Sequence, residues 1–368
     1  MIVIGVDTHK RSHTLVALDA ATGATRGQLT IAATDEGTLA AVRFAAELDE
    51  VRVWAVEDCR HVSGRLERGL LATGDRVLRV APGLTETSRR AVRQPGKSDP
   101  IDAIAIARAA LREGLDTLPV AHLDEQALEI RTLNDYRDQI VRERSRLACR
   151  LRWLLVQLAP DVEAKLAPAS LDHPQVRERI ARRLARLPRT SQVRVAKLTL
   201  KRIGQITVEE RELRAAIKQL IEAHCPALLA EHGCGPVTAA IIIGHTAGAE
   251  RFRSDACFAR HAGIAPIPAS SGNTQRHRLH RGGNRQLNRA IHIIALSRAR
   301  TDPATRAYLD RKHAEGKTKR EAIRCLKRHV ARHIWRVLYA TVLPPDKRPV
   351  NPNGTVNGDA PMLMPCTR

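Results

Sequence analysis

Short apolar runs in the first 123 residues alternate with amphipathic segments of helical period. Five runs rich in β-branched residues predict strands, at residues 2–6, 14–19, 28–32, 51–56 and 76–80. Apolar residues at helical spacing predict three helices, at residues 35–48, 63–72 and 99–112. Three successive strands followed by alternating helices and strands predict an α/β domain over residues 1–123, with helices covering the faces of a mixed sheet.

The pattern changes to longer, charged helices between residues 124 and 226. Apolar residues recur every seven positions and predict a coiled-coil helix, at Leu133, Ile140, Leu147 and Leu154. Pro160 ends it, a basic helix is predicted at residues 175–187, and a last helix is predicted to begin at Thr207, where Glu210 completes a capping box. We interpret this region as a helical arm that dimerises; the alternative is a solvated antiparallel helix pair without a partner.

Residues 227–343 predict a further, mostly helical domain. The segment from His232 to Pro236 places two glycines before the apolar stretch 237–243 and resembles a helix-hairpin-helix turn, in which backbone N–H groups approach a phosphate. A basic helix is predicted at residues 319–343. The last segment, 344–368, is rich in Pro, Asn and Gly, and we expect it to be disordered because it cannot bury a core.

The charge balance narrows the class of partner. The chain carries 61 Lys and Arg against 39 Asp and Glu, a formal net charge of +22. Such an excess favours nucleic acid as the partner, although a generally Arg-rich protein would show the same balance. Aromatic residues make up only 2% of the chain, which argues against stacked aromatic platforms as the main mode of nucleic-acid binding.

The cysteines and the apolar runs favour a cytoplasmic protein without a membrane partner. Seven Cys are scattered with no paired CxxC spacing, which is typical of reduced thiols. No apolar run reaches membrane-spanning length, and the N-terminus lacks the pattern of a signal peptide.

Four acidic residues stand where the predicted elements would bring them together. Asp7 follows the first strand and Glu57 the fourth, so both lie at one carboxyl edge if these strands are parallel neighbours. Pro100 suits the first helical position, which makes Asp99 the N-cap and Asp102 the third helical residue on the same face. Capping and the helix dipole alone favour acids here. A divalent cation such as Mg²⁺, which prefers hard oxygen ligands, would also explain the gathering of like charges.

A serine-bearing loop followed by basic residues forms a second candidate region. Ser270 and Ser271 precede Gly272, and a hydroxyl nucleophile needs help because it is weak at its free pKa. Arg side chains give such help when they clamp phosphate oxygens. We predict nucleic-acid binding by Arg276, Arg278, Arg281, Arg285, Arg289, Lys317 and Lys319. Without further context, Ser-Ser-Gly is ordinary loop sequence.

Together these motifs resemble one known family. The opening IGVDTHK, the apolar strand into Glu57 and the stretch KSDPIDAIAIA resemble a RuvC-like, ribonuclease H-type domain with a DEDD tetrad, and more narrowly the IS110 (insertion sequence one-ten) family of bridge-RNA-guided transposases. The Gly-x-Gly-Pro turn, the AGIAP segment and the Ser-Gly before a basic Gly-Gly stretch resemble the transposase domain of that family. One departure is Asp58-Cys59-Arg60 after Glu57, where the family often has a small residue followed by Thr-Gly.

The resemblance implies an enzyme that cuts and rejoins DNA. The tetrad that would bind Mg²⁺ falls on Asp7, Glu57, Asp99 and Asp102. The nucleophile, which would form a covalent phosphoserine link to DNA, falls on Ser271, with Ser270 as the alternative. The family also implies a structured guide RNA and an active site assembled between protomers of a dimer or tetramer.

Two other functions stay open at this point. A RuvC-like metal-dependent nuclease of the Holliday-junction type would use the four acids and water, leaving the serine as a loop residue. A non-catalytic nucleic-acid-binding protein would need none of these groups. An actin-like ATPase is disfavoured because Thr8-His9-Lys10 lacks the Gly-Thr phosphate loop that should follow Asp7.

Overall fold

Five strands form one mixed sheet in the computed structural model, which describes residues 1–57, 60–90, 98–122, 124–271, 277–278, 280 and 282–342. The strands are β1 (Ile2–Thr8), β2 (Ser12–Asp19), β3 (Thr25–Ala32), β4 (Arg52–Glu57) and β5 (Arg76–Val80). Across the sheet the order is β3-β2-β1-β4-β5, with β1 to β3 antiparallel and β4 and β5 parallel to β1. The predicted mixed α/β sheet is confirmed, with strand bounds shifted by a few residues.

Helices cover both faces of this sheet, as predicted. They are α1 (Asp35–Leu48), α2 (Arg60–Ala72), α3 (Pro82–Arg90) and α4 (Asp99–Glu113). Alternate residues of β1 point to opposite faces, so Ile4 packs with residues of α1 and α2, whereas Val3 packs with Ala103 and Ala107 of α4. The sequence pattern did not reveal α3, because its residues are mostly polar and offer a single large apolar side chain, Leu84.

Small residues let α4 lie directly on β1. A Cβ on Gly5 would lie 1.9 Å from the Ala103 carbonyl oxygen and 2.8 Å from the Ala107 nitrogen, so no side chain fits between strand and helix. Gly5 precedes Asp7 by two residues and Ala103 follows Asp102 by one. The close approach therefore fixes the end of β1 beside the start of α4.

The arm contains two long helices that contact each other through ion pairs. Its elements are α5 (Glu125–Leu158), α6 (Pro160–Glu163), a 3-10 turn (Ser170–Asp172), α7 (Pro174–Ala185) and α8 (Ser191–His224). Arg202 of α8 lies 2.8 Å from Glu143 of α5, and Arg137 of α5 lies 2.7 Å from Glu210 of α8. The end of α5 before Pro160 is confirmed. Dimerisation of the arm stays a prediction.

The predicted helix start at Thr207 is wrong. Helix α8 begins at Ser191, and its N-cap is Thr190, whose side chain accepts a hydrogen bond from the Val193 backbone. Thr207 lies buried within the helix and its hydroxyl donates to the Ile203 carbonyl oxygen at 2.7 Å. Apolar residues continue at helical spacing through residues 193–206, so the capping-box pattern was met inside an uninterrupted helix.

The remaining elements of the described chain are helices and two short strands. They are α9 (Ala227–Ala230), α10 (Pro236–Thr246), α11 (Asp255–His261), β6 (Ile267–Pro268), β7 (His277–Arg278), α12 (Arg285–Thr301), α13 (Pro303–Ala314) and α14 (Lys319–Val342). The predicted basic helix is thus confirmed to residue 342, whereas the predicted disordered tail lies outside the described residues. A phosphate-binding role for the turn before α10 stays a prediction.

Backbone contacts divide the chain into two compact units. Among the described residues, one unit comprises those of Met1–Glu125 and Ala230–Cys234 and those from His245 to Val342; the other comprises Gln126–Leu229 and Gly235–Gly244. The three domains expected from the sequence, with boundaries near residues 123 and 226, stay a prediction. Within the described residues, every helix is too short or too polar to cross a membrane.

Candidate active site

Asp7 and Glu57 occupy equivalent positions at the carboxyl edge of the sheet. Strands β1 and β4 are parallel neighbours in which Val6 pairs with Val56, and the next residue of each strand is the acid. Asp7 is only 8% exposed. The Thr85 hydroxyl of α3 donates to Glu57, with 3.0 Å between Oγ1 and Oε1. The condition under which the sequence places both acids at one edge, that β1 and β4 are parallel neighbours, is therefore met.

Helix α4 begins with Asp99 and Asp102, although its first turn differs from the prediction. Ser98, whose backbone is extended (φ −148°, ψ 148°), is the N-cap, and Asp99 is the first helical residue. The prediction of Asp99 as N-cap is wrong because Pro is tolerated anywhere in the first turn, and here Pro100 takes the second position. Asp99 is exposed and Asp102 half-buried. We call Asp7, Glu57, Asp99 and Asp102 the acid edge.

Like charges at the acid edge act on Asp7. Burial raises the pKa of the Asp7 carboxyl, and the carboxylates of Asp102 and Asp99 raise it further. His9 opposes this effect, but the net pKa shift is upward. The contributions of Asp102 and Asp99 to this shift indicate that both acids of α4 lie within electrostatic reach of the end of β1.

His9 is a member of this site that the sequence pattern did not single out. Its Nε2 lies 3.1 Å from Asp7 Oδ2 and 3.5 Å from Asp99 Oδ1. The signal was present, because residues two apart at the end of a strand point to the same face. His9 therefore lies between one acid of β1 and one acid of α4.

The residues at the acid edge fit a divalent cation. Ligand atoms of Asp7, His9 and Asp99 all lie within 4.8 Å of one another. Carboxylate oxygens suit Mg²⁺ and Mn²⁺, and an imidazole nitrogen suits a transition metal as well. Burial first, and then the carboxylates of Asp102 and Asp99, raise the pKa of Asp7, and a bound cation would favour the ionised form of all three acids.

The serine loop lies on the connection between two short antiparallel strands. Strand β6 pairs with β7 through Ile267 and Arg278, and both Ser270 and Ser271 are exposed on the connection. Two predicted site residues of this region, Arg276 and Arg281, lie outside the described residues. An exposed position is compatible with a nucleophile, and the role of Ser271 stays a prediction.

The described basic residues predicted to bind nucleic acid fall into two clefts. Arg278 and Lys317 line a cleft of about 510 Å³ beside the segment Ile264 to Pro266 that leads into β6. Arg285, Arg289 and Lys319 line a second cleft of about 880 Å³, which we call the basic cleft and which α12 and α14 form. The structure thus places residues far apart in sequence side by side, while their binding role stays a prediction.

Two glycines bring the region after the serine loop against the sheet domain of the same chain. A Cβ on Gly83, at the start of α3, would lie 2.7 Å from the Gly282 Cα. Gly83 follows β5, whose last residue Val80 pairs with Glu57. The glycine turn at 282–283 therefore packs near the edge that carries the acids.

Comparison with known protein families gives one match over the segment that carries the acid edge and another over the segment that carries the serine loop. Residues 4–160 match a transposase family named for IS110 and the DEDD residues, and residues 225–310 match the Transposase IS116/IS110/IS902 family. The chain is 34% identical over 290 residues to the "Insertion element IS110 uncharacterized 43.6 kDa protein" of Streptomyces coelicolor, covering 66% of this chain and 71% of that protein. The chain belongs to the IS110 family of transposases.

Two further relatives extend the IS110-family likeness along most of the chain. The "Insertion element IS116 uncharacterized 44.8 kDa protein" of Streptomyces clavuligerus is 26% identical over 379 residues, covering 92% of this chain and 94% of that protein. The "Insertion element IS900 uncharacterized 42 kDa protein" of Mycobacterium paratuberculosis is 28% identical over 385 residues, covering 91% and 94%. This IS110-family member is a DNA transposase whose acid edge and serine loop lie in different matched segments.

Proposed function

We propose that this transposase is a site-specific recombinase that cuts and rejoins DNA through a covalent phosphoserine at Ser271. The convergence of acids from β1, β4 and α4 at one edge of the sheet carries this proposal. Such an edge is where active sites form in open α/β sheets. The family match supports the reaction class, because both matched segments are those of transposases.

The carboxylates of Asp7, Glu57, Asp99 and Asp102 would hold a divalent cation, which we take to be Mg²⁺. When bound, the cation supplies positive charge that polarises the scissile phosphate and stabilises the oxygen that leaves. His9 would either join these ligands or orient Asp7 through the 3.1 Å hydrogen bond. Thr85 orients Glu57 in the same manner.

Ser271 performs the exchange of bonds. Its Oγ attacks phosphorus and forms a serine–phosphate ester, while one bond from phosphorus to a sugar oxygen breaks. The serine gives up its proton, and the departing sugar oxygen takes one up and leaves as a hydroxyl. The ester keeps the phosphodiester bond energy, so that a different hydroxyl can later displace the serine and rejoin the strands.

The two clefts would hold the nucleic-acid backbone during this exchange. The net charge of +22 and the clustering of Arg and Lys at the clefts support a polyanionic partner. A structured guide RNA and an active site shared between two or more protomers, which the family resemblance implies, belong to the same proposal.

The test is to trap the covalent intermediate on nicked DNA that carries an element end. We expect a protein–DNA adduct that survives denaturation in the wild type, that persists in Ser270→Ala and that is lost in Ser271→Ala. The Ser270→Ala variant is the matched control, because it removes a neighbouring hydroxyl of the same loop.

The same experiment tests the two alternatives. Mg²⁺-dependent cuts without an adduct, unchanged in Ser271→Ala, would identify a nuclease that uses water. An adduct lost in Ser270→Ala but not in Ser271→Ala would move the nucleophile by one residue. Binding without any cut would identify a non-catalytic protein.

A further inference from the structure

The basic cleft gathers positive charge from two helices. Its lining includes six cationic side chains, Arg285, Arg289, Lys319, Arg320, Arg324 and Lys327. Among the described residues that line it, none is acidic. The cleft has a volume of about 880 Å³, and all its charged side chains carry positive charge. It is therefore suited to an anion with several oxygens.

Lys327 is buried in the wall of this cleft. Its side chain is only 8% exposed, and its Nζ donates a hydrogen bond to Asn288 Oδ1 of α12. Burial, with a smaller effect of Arg324, lowers the pKa of Lys327 from 10.5 to about 8. An ammonium has three N–H donors, so an anion in the cleft would find donors there and offset the cost of burying the charge.

Asn288 connects Lys327 to the segment that leads to the serine loop. Its Nδ2 lies 3.0 Å from the Ala262 carbonyl oxygen and 3.0 Å from the Gly263 carbonyl oxygen. Gly263 has a positive φ of 66°, and a Cβ there would lie 2.9 Å from the His280 carbonyl oxygen. The turn is therefore tightly fixed, and Asn288 touches both the turn and the cleft lysine.

We propose that the basic cleft binds a phosphodiester group of the nucleic-acid substrate through Lys327, and that this binding positions the serine loop through Asn288. The proposal rests on the proposed function, because it takes nucleic acid as the substrate. It adds a specific contact and a route by which substrate binding reaches Ser271.

A contact between Lys327 and a phosphate predicts that the affinity of the cleft for nucleic acid depends on pH. Arg324 faces Lys327 from its own helix, and His292 and Asn288 face it from α12. The other charged or titratable residues that line the cleft are His280, Arg285, Arg289, Lys319 and Arg320. Burial and Lys327 lower the pKa of His292, so that it is neutral above pH 7. Between pH 7 and 9 Lys327 loses its proton in the free protein, and phosphate affinity should fall.

The first experiment measures fluorescence anisotropy of full-length variants with labelled single-stranded DNA, duplex DNA and RNA of one sequence. At pH 7, Lys327→Met should bind about tenfold more weakly than the wild type, the effect of losing one charge-assisted hydrogen bond. Lys327→Arg should bind like the wild type at pH 7 and lose the fall toward pH 9. Lys218→Met, which removes an exposed charge from α8, is the matched control and should bind as the wild type does.

The probes separate the possible sources of the phosphodiester. A tenfold loss of affinity for the DNA probes alone, or for the RNA probe alone, supports the proposal and identifies which nucleic acid occupies the cleft. Wild-type affinity in Lys327→Met, with circular dichroism confirming its fold, would overturn the cleft proposal alone. A wild type that binds none of the three probes would overturn the proposed function itself.

The second experiment tests the route through Asn288 by hydrogen exchange. Oligonucleotide binding should slow exchange of the peptide spanning residues 262–271 in the wild type, because the turn becomes more firmly held. In Asn288→Ala, which keeps the Lys327 charge, binding should persist while this protection is lost. Equal protection in both proteins would overturn the positioning role of Asn288.

Discussion

The acid edge and the basic cleft gather like charges in opposite ways. At the acid edge, short carboxylate side chains stand on strand ends and on the first turn of α4, where the backbone sets their positions. At the basic cleft, long Arg and Lys side chains extend from the faces of α12 and α14. In both regions the pKa of the buried residue is shifted in the direction that favours its neutral form: the pKa of Asp7 is raised and that of Lys327 is lowered.

This difference shows which partner each region suits. Carboxylates held by the backbone can meet the strict distances of a metal ion, whereas Arg and Lys stems can follow phosphates at variable positions. Each cluster is electrostatically unfavourable alone and becomes favourable with an ion of the opposite charge. Removing one charge from either region should therefore relieve repulsion when no ligand is present, and should weaken binding of the oppositely charged ligand.

The largest effect should follow from neutralising the buried acid. Asp7→Asn should lower strand cleavage by at least about 100-fold, because an anionic ligand at the reacting phosphate is lost. We also expect Mg²⁺ to raise the melting temperature of the wild type by binding the folded state, and we expect no such rise in Asp7→Asn. Asp19→Asn is the control, since Asp19 pairs with Ile2 at the opposite edge of the sheet. A Mg²⁺ response unchanged in Asp7→Asn would contradict the metal site.

A smaller effect should follow from separating α4 from β1. Gly5→Ala places a Cβ 1.9 Å from the Ala103 carbonyl oxygen, and we expect a loss of about 1–3 kcal/mol in the free energy of unfolding. Gly64→Ala in α2 meets nothing within 4 Å and should instead stabilise by about 0.5–1 kcal/mol. Chemical denaturation of both variants measures these differences. Equal behaviour of the two variants would show that the close helix–strand contact does not exist.

Lys327→Met should raise the melting temperature in the absence of nucleic acid. The folded-state pKa of Lys327 is about 8 and lies below the ordinary value of 10.5. Burying the charged side chain therefore lowers the free energy of unfolding, and this loss is complete below pH 8. That cost disappears as the pH rises toward 10.5, so the advantage of the variant should be a few degrees at pH 7 and should shrink by pH 10. Differential scanning calorimetry at the two pH values measures it. A constant advantage would mean that packing, not charge, distinguishes the variants.

The smallest effect concerns the ion pair between His122, which follows α4 in the chain, and Glu250, which precedes α11. Hydrogen bonding to Glu250 raises the pKa of His122, so this pair stabilises the fold below pH 6.5 and less as the pH rises through the folded-state pKa. Both side chains are partly exposed, and His122→Gln should cost no more than about 0.5 kcal/mol at pH 5.5 and nothing at pH 8. Urea denaturation at both pH values measures this. His173→Gln, on an exposed residue, should show no such difference.

Local pattern sufficed for much of the fold. The periods of the apolar residues predicted all five strands of the sheet, and Pro160 correctly marked the end of α5. Local pattern failed at Thr207, where a capping motif lay inside a continuing helix, and at α3, whose polar sequence lacks an apolar stripe. These failures share one cause: a helix stabilised by tertiary packing needs neither a cap nor a strong pattern of its own.

By itself the sequence determined which residues end the parallel strands and begin α4, because periodicity sets the elements and elements set their ends. It therefore placed Asp7 and Glu57 at the ends of two strands, whereas the parallel pairing of β1 with β4, which brings both acids to one edge, was decided by the tertiary structure. Only the tertiary structure decided that His9 lies between Asp7 and Asp99, that Gly5 admits α4, and that Lys327 is buried beside Asn288. Burial and distance depend on contacts between segments far apart in the chain, and no local pattern encodes them.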